Sequence, residues 1–124
     1  LTFRHPRILS RIVQPRVSTL DLMLVLRASN TIVLPFLATM SSGTVTLALS
    51  EARPVIAPSM GCLPATILPG GGLLYDPNQP DALLESMEQI RSWDLEDASR
   101  TALASIQRFD WNQIAELTLE AYKR

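Results

Sequence analysis

Thr31-Ile-Val-Leu-Pro-Phe-Leu-Ala-Thr-Met-Ser-Ser-Gly-Thr-Val-Thr-Leu-Ala-Leu-Ser-Glu-Ala-Arg-Pro-Val-Ile-Ala-Pro58 decides the fold of this chain. Its first four residues are apolar or β-branched without alternation, as in a strand buried on both faces, and Pro35 ends them. Ser41 or Ser42 then offers a side-chain cap for a helix running to about Ala52. Arg53–Pro58 is a second short apolar strand bounded by prolines. Strand, helix and strand in this order predict a parallel sheet with crossover helices.

The pattern continues on both sides. Arg7–Val13 reads as a short strand, with Ile8, Ile12 and Val13 as β-formers. Ser18 caps a helix over Leu20–Ala28 whose wide apolar face (Leu22, Met23, Val25, Leu26) predicts a well-buried element. Gly61–Leu68 reads as a loop with one helical turn, Pro69–Gly72 as a turn, and Leu73–Tyr75 as a third strand. Asn78 and Pro80 stand where a cap and a first-turn proline belong. The next helix would turn Leu83, Leu84, Met87 and Ile90 inward. Asp94 caps another, with Leu95, Ala98, Ala102 and Ile106 inward. Asp110-Trp-Asn-Gln113 has capping-box form, and the last helix would bury Trp111, Ile114, Ala115, Thr118 and Tyr122. Trp93, Trp111 and Tyr122 are read as packing anchors.

The expected fold is therefore α/β. It is a partial Rossmann-like parallel sheet of about three to four strands with flanking helices, followed by a C-terminal helical segment. Residues 1–124 are read as one partial domain, with strand and helix alternating over 1–77 and helices over 78–124. A doubly wound nucleotide-binding domain has more strands, so the missing ones are expected before Leu1.

Composition narrows the function classes. The chain has 124 residues, 47% hydrophobic and 19% charged, which is globular composition. Its net charge of −1 gives no basic field for nucleic acid. Cys62 is the only cysteine and His5 the only histidine, which argues against a disulfide, a zinc site or a Ser/His/Asp triad. No apolar run approaches the roughly 20 residues of a membrane span, and no signal peptide is evident.

Three segments in order resemble the group-1 family of retaining GT-B glycosyltransferases. Ala28-Ser-Asn-Thr-Ile-Val-Leu-Pro35 is similar to the family's "aaDvvvlP" strand. Ser42–Ala57 is similar to its helix followed by "G-x-P-V-I-A". Gly71-Gly-Leu-Leu-Tyr-Asp-Pro-Asn-Gln-Pro-Asp-Ala-Leu83 is similar to "G-l-l-x-x-p-x-d-x-x-a-L". Arg108-Phe-Asp-Trp111 and Tyr122 resemble the family's closing "f-s-W…Y". The resemblance spans about Arg16 to Arg124 and identifies the chain as the second half of the C-terminal, nucleotide-sugar-binding domain.

The resemblance implies a nucleotide diphosphate sugar as donor substrate, no metal or other cofactor, and an upstream N-terminal domain that holds the acceptor. It implies transfer of a hexose to a glycan or lipid-linked acceptor, with the isolated chain inactive. It also implies a cytoplasmic location. The peripheral association with the inner membrane face common among polysaccharide-building members leaves no trace in these residues.

The candidate site centres on Ser41-Ser-Gly-Thr44. A helix opening after a buried strand presents free N–H groups and a favourable dipole to an anion, and Gly43 lets a phosphate oxygen approach closely. Spacing alone favours an ordinary serine cap; the resemblance reverses that reading. The family's Glu-x7-Glu falls near Thr39 and at Leu47, and neither is acidic. The implied donor-binding set is Thr39, Met40, Ser41, Ser42, Gly43, Thr44 and Leu47, with no catalytic residue assigned.

Met60-Gly-Cys62-Leu-Pro64 resembles the turn "x-G-G-x-P-E", with Ala65 at the Glu position, and is also explained as a tight loop needing Gly61. Asp76 and Asp81 read as loop and cap residues, and Glu51 with Arg53 as a solvated pair. The missing carboxylates leave a second reading open. In it the chain is a non-catalytic remnant that binds a partner, or itself as a homodimer, through an exposed sheet edge.

Overall fold

The computed structural model describes residues 17–123. The predicted strand Arg7–Val13 and His5 lie outside them. The order is α1 (Thr19–Ala28), β1 (Ile32–Val33), α2 (Gly43–Ser50), β2 (Val55–Pro58), α3 (Leu63–Thr66), β3 (Gly72–Tyr75), α4 (Ala82–Gln89), a 3-10 turn (Ile90–Ser92), α5 (Leu95–Gln107) and α6 (Trp111–Tyr122). The three strands form a parallel sheet in the order β1-β2-β3. Ile32 pairs with Val55, and Val55 in turn with Gly72, so β2 sets the register for both neighbours. The α/β class and the parallel sheet stand as expected.

Hydrophobic burial centres on β2 and α2. Every residue of β2 is buried. Val45, Ala48 and Leu49 of α2 join Leu26, Val55, Ala57, Leu63, Ile67 and Ala102 in one core cluster. A central strand covered on both faces needs its continuous apolar run. β1 differs from expectation: it spans two residues and Val33 is exposed. Among the described residues it pairs only with β2, so one edge is free.

Local chemistry sets several boundaries. Ser18 Oγ accepts from the Asp21 amide and caps α1. Asp94 Oδ1 accepts from the Glu96 and Asp97 amides and caps α5. α2 ends with Ala52 at φ 55, the left-handed conformation that disfavours a Cβ. Replacing Ala52 with Gly is expected to stabilise the chain by about 1 kcal/mol. A rise in the urea unfolding midpoint checks this.

Other expectations are corrected. α1 is not well buried: only Leu26 is enclosed, and Leu20, Leu24 and Val25 face solvent. α4 begins after Asp81, which makes no side-chain cap. Asn78 instead donates its backbone N–H and Nδ2 to Asp76 Oδ1, building the preceding loop. The buried face of α4 runs through Ser86 to Ile90, while Leu84 and Met87 point outward. Asp110 makes no capping bond, and α6 buries no residue, leaving Trp111 at 82% and Tyr122 at 85% exposure. Those two are therefore not packing anchors for the described residues.

Glu51 pairs with Arg27 at 2.7 Å, not with Arg53, and this hydrogen bond and charge raise the Arg27 pKa. Arg53 donates to the Arg27 carbonyl at 3.0 Å and so helps close α1. Two residues, Ser105 and Arg108, hold α5 to the sheet layer by long-range polar contacts. Buried Ser105 accepts from the Leu68 amide and donates to the Thr101 carbonyl. Arg108 donates to the carbonyls of Ala65, Thr66 and Ser105, closing the ends of α3 and α5.

Candidate donor site at the start of helix α2

β1 delivers the chain to its carboxyl end at Leu34, where the Leu34 amide still bonds the Ile56 carbonyl at 2.9 Å. Residues 36–42 then lead into α2. This loop is fixed at three points. Phe36 N–H donates to the Leu34 carbonyl at 2.9 Å. Thr39 Oγ1 donates to the Ser41 carbonyl at 2.6 Å. The Cys62 amide donates to the Met40 carbonyl at 2.7 Å, tying this loop to the one after β2. Gly61 makes that tie possible. It has φ +54, and a Cβ there would lie 2.5 Å from the Met40 carbonyl oxygen.

The start of α2 has the geometry expected of an anion cradle. Ser42 is the N-cap, and its Oγ accepts from the Val45 amide at 3.2 Å. The Gly43 and Thr44 amides have no acceptor among the described residues, as the first turn of a helix requires. Ser41, Gly43 and Thr44 are exposed, and a Cβ added at Gly43 would meet nothing within 4 Å. The helix start is therefore open, with no packed side chain of the described residues over it.

Thr39, Met40, Ser41, Ser42, Gly43 and Thr44 are thus brought together in one loop and first turn. Met40 takes part through its carbonyl, and its side chain projects into solvent. Leu47 stands apart, since it is half-buried and packs against the hydrophobic core. No acidic side chain of α2 replaces the missing family pattern, and Glu51 is engaged by Arg27.

Sequence reading did not find a cleft of about 570 Å³ beside the strand ends. It lies between Phe36 and Leu37 after β1, Met60 after β2, and Tyr75, Asn78 and Gln79 after β3. It shares no residue with Thr39–Thr44. A smaller recess of about 180 Å³ beside Trp93 and Gly70 opens at the other end of β3, and its Asp94 is occupied in capping α5. Among the described residues no group of three His, Cys, Asp or Glu side chains could hold a metal ion. No helix there is long and apolar enough to cross a membrane.

An open helix start off the carboxyl end of a parallel strand is the nucleotide-site geometry of doubly wound α/β folds. No protein-family model matches the chain. It is similar to glycosyltransferases. Two sequences of a GDP-mannose:glycolipid 4-beta-D-mannosyltransferase from Xanthomonas campestris pv. campestris are each 35% identical to it over 99 residues, 77% of this chain and 27% of each relative. The solved structure of sucrose-phosphate synthase from Thermosynechococcus elongatus superposes with a TM-score of 0.66 at 27% identity, over 81% of this chain and 26% of that one.

The homologues of this chain are accordingly glycosyltransferases, and its three-strand parallel sheet flanked by helices has the Rossmann-like α/β architecture of the GT-B fold. The chain spans 27% of the length of the mannosyltransferases it matches.

Proposed function

We propose that this chain supplies the donor-diphosphate end of a nucleotide-sugar-dependent hexosyltransferase acting on a glycan or lipid-linked acceptor. In this reading it works only together with an upstream acceptor domain. The observation that carries it is the open first turn of α2, where the Gly43 and Thr44 amides have no acceptor among the described residues. The similar mannosyltransferase takes its hexose from GDP-mannose, which makes GDP the first nucleotide to test. Uncovered apolar surface on α1 and along α6 supports an upstream portion that covers it. The missing carboxylates at Thr39 and Leu47, with an edge of β1 unpaired among the described residues, favour the alternative, self-association of a non-catalytic unit.

Gly43→Asp is the sharpest probe. Nothing lies within 4 Å of the new Cβ, and an acid in the first helical turn suits the helix dipole, so folding is retained. A carboxylate in the cradle repels a diphosphate. Calorimetric titration with GDP and UDP is expected to show millimolar or tighter binding to the wild-type chain and none to Gly43→Asp. Equal heats from both proteins would remove the α2 start from the site.

A further inference from the structure

We propose that the cleft between the loops after β1 and β3 is a saccharide subsite that takes an uncharged sugar ring of the acceptor. This rests on the transferase reading and deepens it, by placing part of acceptor recognition in the donor half.

The cleft lies off the carboxyl ends of the strands, where α/β folds bind ligands. No side chain that lines it carries a charge, so a phosphate or carboxylate would find no counter-ion there. Phe36, Met60, Tyr75 and Leu83 form an apolar wall suited to the C–H face of a pyranose. Asn78 and Gln79 add amides to the same cleft.

These amides are unequal, and the difference matters. Asp76 Oδ1 accepts both the Asn78 backbone N–H at 2.9 Å and its Nδ2 at 3.0 Å. That fixes the Asn78 side chain and leaves its carbonyl as a preset acceptor for a sugar hydroxyl. Gln79 and Tyr75 line the same cleft and carry an amide and a hydroxyl. A hydrocarbon chain in this cleft would desolvate all three groups and offer them nothing in return. A sugar offers hydroxyls to each. The cleft shares no residue with the α2 start, so the donor diphosphate does not compete for it.

The test is heteronuclear NMR of the chain with three probes: neutral disaccharides (maltose, cellobiose, mannobiose), hexyl phosphate, and GDP. Millimolar disaccharide is expected to move the Phe36, Tyr75 and Leu83 signals. Gln79→Ala, in an exposed loop, and Tyr75→Phe should each weaken that binding by about threefold to tenfold. Neither should change the response of the Gly43 amide to GDP. Cleft signals unmoved by every disaccharide, or moved by hexyl phosphate alone, would overturn the proposal. The GDP response is scored separately: if it is missing while disaccharides bind, the donor reading fails and the cleft stands as a sugar site.

Discussion

Gly61→Ala is expected to destabilise the chain by about 2–4 kcal/mol and to abolish nucleotide binding, although Gly61 lies outside the α2 cradle. Two costs combine. The residue sits at φ +54, where a Cβ alone costs about 1 kcal/mol. That Cβ would also lie 2.5 Å from the Met40 carbonyl oxygen and 2.6 Å from that of Thr39. Both neighbours are backbone atoms and cannot rotate aside as the end of a side chain would. The loop from Phe36 to Ser42 must move as a unit, breaking the 2.7 Å bond from the Cys62 amide to Met40. The amides of Gly43 and Thr44 then start from a different place. Urea unfolding reads the first effect and GDP calorimetry the second. A variant with the wild-type midpoint and unchanged GDP heats would show that the two loops are not coupled.

Leu49→Ala should cost more, about 3–5 kcal/mol, because the void it leaves is closed on all sides. Leu49 is completely buried in the core cluster with Leu26, Val45, Val55 and Ala102, at the place where α2 packs on α5. Domains of this size have total stabilities of about 5–15 kcal/mol, so a loss of this size should lower the unfolding midpoint markedly. Leu49→Met conserves volume and should cost less than about 1.5 kcal/mol. Circular dichroism against denaturant separates the two. Equal midpoints for Leu49→Ala and Leu49→Met would mean that the α2–α5 contact is loose.

What the sequence revealed and what it hid divide along a physical line. Features governed by near neighbours were legible. Ser42 caps α2 and Asp94 caps α5 because each side chain reaches an amide two or three residues on. The apolar runs Val55–Pro58 and Leu73–Tyr75 announce strands, since a central parallel sheet tolerates little else. The helix start at Ser41–Thr44 was placed for the same reason.

Features set by distant partners were not legible. Glu51 has an arginine two residues away but is claimed by Arg27, 24 positions distant. Arg108 closes α3 across more than 40 residues. Ser86 and Ser105 occupy inward positions that a hydrophobic pattern assigns elsewhere, because the Ala82 and Thr101 carbonyls absorb their hydroxyls. Asn78 resembled a helix cap until Asp76 was seen to hold it in the loop. The cleft is assembled from three strand ends well apart along the chain, and no window of sequence contains it. An apolar helical stripe shows that a face needs cover, but not whether these residues provide it, which is why α1 and α6 were expected to be buried.

Twelve residues of α6 without a single buried side chain have a consequence for its own persistence. A helix of that length holds together only marginally in water, because its nucleation cost is not recovered by its internal hydrogen bonds alone. Its helicity must come from whatever touches it, so in the separated chain it should fray and in an assembled one it should lock. Trp111, at its first position, makes the change visible: indole emission should shift to shorter wavelength as the helix is sheltered.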